Sequence, residues 1–337
     1  MPLTSDVTIN YSRFNPDNAS EDSKNYSAFL EKVTTERPGW WEVGAARFRE
    51  MMANGEIGGL KPAKLPEAHD IRIPSREEGR DIPVRVYKPI NGQPSRGILL
   101  HVHGGGYVLG SHDTNDGLLK FYADTCQVTA MSVGYRLAPE HPWPAGREDC
   151  IDVAEHLVDR GVAEHGAPLL FLAGESAGAN LSLVTALHLI RSRPAHALRG
   201  LVLPYGNYSV ALGLPSMVSF NRPVLVYHAS IQRFMDAYTP DMDNVQRRNP
   251  LLSPLFEDLR ALAASTLTGK LPPVLFLCGT NDPNLDDTVL MGLKWQASGS
   301  EAIVKIFPGA PHVFNVGDLD VAKEAFGYEA EFLLGKM

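Results

Sequence analysis

LLFLAGESAGANLSLVTALHLI, residues 169–190, opens on a short, wholly apolar run and closes on a long apolar-rich one, with Gly174-Glu175-Ser176-Ala177-Gly178 between them. Leu169–Ala173 has the length and composition of a buried strand, and Ala177–Arg191 that of a helix ending before Pro194. A serine held between them sits in a tight strand-to-helix turn, where flanking glycines let the two elements pass closely. Its hydroxyl then projects above the sheet beside a helix N-terminus, whose free N–H groups favour developing negative charge. A serine before a helix also serves as a simple N-cap. The strand on one side and helix on the other favour a nucleophile.

Outward from this turn, strand and helix signals alternate. Gly97–Val102, Val128–Val133, Leu198–Leu203, Val274–Cys278 and Ile303–Phe307 read as short apolar strands. Leu118–Cys126, Arg147–Arg160, Asp286–Ala297 and Asp318–Leu334 read as helices. His69–Ile73 and Ile82–Tyr87 read as a hairpin ahead of them. Apolar strands alternating with helices predict an α/β architecture: a mostly parallel sheet covered on both faces. Tyr26–Met52 suggests two short helices broken at Pro38-Gly39, and Gly55–Lys64 a linker. Tyr205–Leu259 breaks the rhythm without a clear buried strand. We therefore expect residues 1–60 to form N-terminal cap helices and residues 61–337 the core, with 205–259 contributing to the cap or lid.

The second chemical signal is His103-Gly104-Gly105-Gly106, at the end of the strand GILLHV. Consecutive glycines cost backbone entropy, and one reason to place them at a strand end is close approach of amides to an anion. A tight turn is the plainer alternative. A phosphate loop is not, since neither phosphate-binding glycine spacing is present. The expected oxyanion donors are the amides of Gly105, Gly106 and Ala177, with Tyr107 next to them on the pocket wall. The acid and base of a serine nucleophile should follow later strands in the order Ser, Asp, His. Asp282 follows Val274–Cys278, and His312 follows Ile303–Phe307. Asp286 is the alternative acid, and His101, inside its strand, reads as structural.

Bulk properties narrow the partners. The 337 residues carry a net charge of −8 and no basic run, which disfavours nucleic acid. Three cysteines without CxxC spacing give neither a disulfide framework nor a metal site, so no metal and no cofactor is expected. MPLTSDVTIN has neither a basic nor an apolar leader segment, and no run reaches the roughly 20 apolar residues of a membrane span. A cytoplasmic protein is the expectation.

With these residues placed, the chain resembles the bacterial hormone-sensitive-lipase-like carboxylesterases of the α/β-hydrolase superfamily. The resemblance covers nearly all of residues 68–337. It rests on HGGGY (103–107), YRLAPEHPWP (135–144), Gly174–Gly178, NPLLSPL (249–255), GTNDPNLDD (279–287) and HVF (312–314). It implies a helical cap, a Ser176-His312-Asp282 triad without metal, and hydrolysis of small-molecule esters with short- to medium-chain acyl groups. A homodimer is implied by analogy alone. Arg136 and Glu140 are expected to brace the oxyanion loop. Glu175, Asn284 and Val313 depart from the family's usual Asp, Leu and Gly. The same triad serves amidases, lactonases and carbamate hydrolases, and a silent ligand receptor on this scaffold would show a damaged one.

Overall fold

Strands β1 (His69–Pro74), β2 (Asp81–Tyr87), β3 (Ile98–Val102), β4 (Thr129–Val133), β5 (Leu169–Gly174), β6 (Gly200–Pro204), β7 (Val274–Asn281) and β8 (Ala302–Pro311) join in one sheet. Their order is β1-β2-β4-β3-β5-β6-β7-β8. The computed structural model in which they are seen describes residues 5, 7–57, 62–316 and 318–337. Pairing is antiparallel from β1 to β2 and from β2 to β4, then parallel across the rest. Every residue of β3, β4, β5 and β6 is buried. Their near-continuous Val/Leu/Ile/Ala runs follow from that, because a parallel strand covered on both faces has no side left for water.

The helices are α1 (Glu21–Glu36), α2 (Trp40–Val43), α3 (Ala45–Asn54), α4 (Asp116–Cys126), α5 (Ala145–His165), α6 (Ala177–Ser192), α7 (Pro215–Ser219), α8 (His228–Tyr238), α9 (Leu259–Ser265), α10 (Leu285–Ala297) and α11 (Asp320–Gly335). They divide the sheet's burial into two cores. Val153, Leu157, Leu183, Met291 and Trp295 from α5, α6 and α10 pack on one face. Leu119, Tyr122, Ala325 and Phe332 from α4 and α11 pack on the other. No helix among the described residues is long and apolar enough to cross a membrane.

Some boundaries differ from those read in the sequence. The N-terminal segment carries three helices where two were expected. α1 starts early, at Ser20, whose hydroxyl accepts from the Ser23 amide at 3.1 Å. Pro38-Gly39 does separate α1 from α2, and Gly44, at φ 88°, makes a second break. β8 runs four residues past Phe307, through both Pro308 and Pro311. As the edge strand it has one side that needs no ladder donor, which is where proline is tolerated. Of the expected linker, residues 58–61 lie outside the described residues, as do 1–4 and 6 of the segment read for a leader.

The N-terminal helices meet the 205–259 excursion directly. Arg222 pairs with Glu31 at 2.7 Å, the Leu225 amide donates to the Thr34 hydroxyl at 3.1 Å, and the Trp40 and Phe234 rings lie 5.4 Å apart.

Candidate active site

Sheet register brings the chemistry together. In β3 and β5 Val102 pairs with Gly174, so the glycine loop and the serine turn leave the sheet side by side. In β7 and β8 Asn281 pairs with Pro311, so the next residue on each strand, Asp282 and His312, emerge as neighbours. His312 Nδ1 lies 2.8 Å from Asp282 Oδ2, and Nε2 lies 2.9 Å from Ser176 Oγ. Both His312 and Asp282 are buried. An ionised carboxylate only accepts, so Nδ1 carries the proton and Nε2 presents its lone pair to the serine hydroxyl. The other oxygen of Asp282 accepts from the Asn284 amide at 2.8 Å. Asp286, the alternative acid, instead accepts from the Ser216 amide at the start of α7, at 2.8 Å.

Ser176 stands at φ 57°, ψ −119°, backbone space that a non-glycine residue occupies only under constraint. The constraint is close packing. A Cβ at Gly178 would collide with the Val102 and His103 carbonyls, and one at Gly174 with those of Val102 and Gly178.

The glycine loop is anchored through its carbonyls. His103 O accepts from the Tyr135 hydroxyl at 2.9 Å, and Gly104 O lies 2.8 Å from His103 Nδ1. Gly105 O accepts from the Val108 and Leu109 amides. Burial holds His103 down at about 4, so its ring is neutral. The amides of Gly105, Gly106 and Ala177 donate to nothing among the described residues. Gly105 stands at φ 118°, where a Cβ would meet the Leu109 carbonyl. Tyr107 lines the same cavity, stacked on Tyr238 with ring centroids 3.9 Å apart.

Glu175 and His101, read in the sequence as a departure from the family pattern and as a structural residue, make defined contacts here, and Tyr205 and Asn115 were not singled out as site residues at all. Glu175 accepts from the Gly104 amide at 2.9 Å and from Asn115 at 3.1 Å, and its second oxygen lies 2.8 Å from His101 Nε2. Burial opposes its ionisation, but His101, the Gly104 amide and His103 outweigh this and hold its carboxyl below the ordinary range. His101 is thus more than core filling: it fixes the residue that precedes the serine. Tyr205 places its ring edge-on to His312, centroids 4.7 Å apart, and donates its hydroxyl to Asn315 at 2.5 Å. The only signal for these contacts in the sequence was position beside a motif.

The expected brace through Arg136 and Glu140 takes another form. Arg136 bonds Asp149 and Glu77 on the opposite side of its segment. Glu140 pairs with Arg49 of α3, and it is Arg49 that reaches the loop, donating to the Val108 and Ala138 carbonyls at 2.7 and 2.8 Å. Sequence order hid this because the partners lie about 90 positions apart.

Among the described residues no cluster of three or more His, Cys, Asp or Glu stands where it could hold a metal ion. The cavity above Ser176 has a volume of about 370 Å³. Phe48 and Met52 of α3 line it together with Leu225, Ile231, Phe234 and Met235 of the excursion.

A family model described as alpha/beta hydrolase fold matches residues 99–316. The chain belongs to the alpha/beta hydrolase fold family. This α/β-hydrolase is 33% identical over 251 residues to a carboxylesterase of Mycobacterium tuberculosis, covering 73% of each chain. It is 30% identical over 249 residues to an ethyl acetate hydrolase of Pseudomonas putida, covering 73% of this chain and 74% of that one. Among solved structures, a hyperthermophilic esterase from the archaeon Pyrobaculum calidifontis superposes with a TM-score of 0.79 at 27% identity, over 94% of this α/β-hydrolase and 98% of that chain.

Proposed function

We propose that this α/β-hydrolase is a serine carboxylesterase that cleaves small-molecule esters with short- to medium-chain acyl groups through an acyl-enzyme. One observation carries the reading: an unbroken Ser176–His312–Asp282 chain, with contacts of 2.9 and 2.8 Å, beside amides that have no acceptor among the described residues. His312 Nε2 takes the Ser176 proton as Oγ attacks the ester carbonyl. The alkoxide oxygen is received by the amides of Gly105, Gly106 and Ala177, each worth on the order of 3–4 kcal/mol in the transition state. Asp282 keeps the imidazole in the required tautomer and stabilises its cation. His312 protonates the departing alcohol, and water returns along the same path to release the acid. The names of the relatives above support the ester as substrate class.

In this reading residues 1–60 and 205–259 are the cap, and Tyr107 with the apolar cap residues shapes the acyl and alcohol pockets. A cavity of about 370 Å³ is within the size range of pockets that take small-molecule ligands. The enzyme works in the cytoplasm, without metal or organic cofactor.

Initial rates on p-nitrophenyl esters from acetate to palmitate, beside the matching anilides, test the assignment. Esters should be turned over and anilides not, with rates falling steeply at long chains. Ser176→Ala should lower kcat by roughly 10⁴-fold or more with an unchanged circular-dichroism spectrum. Wild-type rates in that variant would remove Ser176 from the mechanism.

A further inference from the structure

Among the described residues, the cavity wall carries two charged side chains, Glu175 and Arg37. The first is fully employed: its carboxylate is shared among His101, the Gly104 amide and Asn115. The second has no employment. Among the described residues Arg37 makes neither an ion pair nor a side-chain hydrogen bond, although a guanidinium offers five N–H donors. It closes α1 just before Pro38 and lies over the Phe48 ring, 5.5 Å from the centroid, and Phe48 itself lines the cavity. Met52, Leu225 and Val226, which line the same cavity, are apolar, and the one titratable group that acts on Arg37 is the Tyr227 phenol, which is no carboxylate.

An aromatic face attracts a cation, but weakly, and it accepts none of the in-plane N–H groups. Burial lowers the Arg37 pKa with no carboxylate to oppose it, which is the mark of a cation lacking its counter-charge. The net charge of −8 disfavours an anion at long range, yet that field is screened within about 8 Å at physiological salt, whereas a contact pair is not. A planar guanidinium in partly apolar surroundings is the usual receiver of a carboxylate.

We infer that the preferred substrates are esters bearing a second, ionised carboxylate, and that Arg37 receives that group while Ser176 attacks the ester. This inference rests on the esterase reading above. It makes Arg37 a specificity residue contributed by the N-terminal segment, at the cap end of a cavity whose floor holds the chemistry.

Two substrate series locate the charge. One has it on the acyl side: p-nitrophenyl monoesters of succinate, glutarate, adipate and suberate, each against its methyl-capped neutral partner. The other has it on the alcohol side: acetates of ω-hydroxyalkanoic acids against acetates of alkanols of equal length. In wild type, kcat/KM for the charged member should exceed the neutral one by at least about tenfold at one or more lengths in one series, as expected for a charge-assisted bond. That ratio should collapse toward one or below in Arg37→Met and Arg37→Gln. It should persist in Arg72→Met, which removes an exposed arginine of β1 that also lacks an ion pair among the described residues. A ratio defined within each variant is insensitive to partial loss of folded protein. Wild type preferring the neutral member at every length in both series, or an unchanged ratio in the Arg37 variants, overturns the inference while leaving the esterase intact. Were no ester of either kind turned over, the esterase reading would fall first. Calorimetric titration of wild type and Arg37→Met with monomethyl adipate would then decide the anion site, equal affinities refuting it.

Discussion

Outside Ser176, His312 and Asp282, Glu175 ties together the most parts of the site. Its carboxylate holds both the amide that opens the glycine loop and the imidazole of His101, so it couples the serine turn to that loop. Glu175→Gln keeps the size and loses the charge. It replaces one acceptor oxygen with an NH₂ that cannot serve the Gly104 amide or the His101 N–H. We expect kcat to fall by roughly 10- to 100-fold with KM little changed, because the loss falls on a transition-state interaction. Glu175→Asp, which keeps the charge, should recover part of the rate. Equal rates in both variants and wild type would show the loop to be held by its other bonds alone. Val313 is the opposite case. It stands at φ 63°, where a β-branched side chain is strained and a glycine would not be.

Among the elements, β3, β5 and α6 are packed too closely for side chains at their crossing. Gly178→Ala places a methyl group against the Val102 and His103 carbonyls, which belong to a central strand and the loop it feeds. Neither can yield as a flexible side chain would. Overpacking of this kind costs about 1–3 kcal/mol. Chemical denaturation should report a loss of that size. Because the displaced backbone carries the glycine loop beside Ser176, activity should fall further than the folded fraction does. A variant with wild-type stability and rate would mean that the strand and helix separate more easily than their packing implies. The N-terminal helices act on the same loop from above. Arg49 of α3 donates to the Val108 and Ala138 carbonyls, so the N-terminal segment is structurally continuous with that loop.

Across the whole molecule, two buried carboxyls away from the triad shape stability against pH. Burial pushes Glu329 of α11 up to about 8, opposed by the bond from the Tyr122 hydroxyl. Burial likewise pushes Asp287 of α10 up to about 8, opposed by the Ser209 and Tyr208 amides. Each also has one oxygen without a hydrogen-bond partner among the described residues. The folded protein therefore retains protons that the unfolded chain releases at ordinary carboxylate values. Their contribution to stability falls as pH rises from that range through about 8 and levels off beyond it, whereas the neutral His103 ring, held at about 4, works in the opposite direction below about 6.5. Thermal melts between pH of about 6.5 and 9 should therefore show a declining Tm. Glu329→Gln, which cannot ionise, should show a shallower decline even if its Tm is lower at every pH. An identical slope would mean that Glu329 is ionised in the fold.

The sequence by itself determined the alternation of strand and helix, the serine turn, the glycine loop and the order in which acid and base follow. Each of these is set by residues close along the chain: apolar runs of strand length, glycines where a side chain cannot fit, a polar residue at a strand end. Only the tertiary structure decided which side chains meet. The pairing of Asn281 with Pro311 sets His312 beside Asp282, Arg49 rather than Arg136 reaches the glycine loop, His101 grips Glu175, and Arg37 turns onto the cavity wall. Strand register and the docking of the N-terminal helices fix those contacts between residues tens to hundreds of positions apart, and local periodicity carries no information about them.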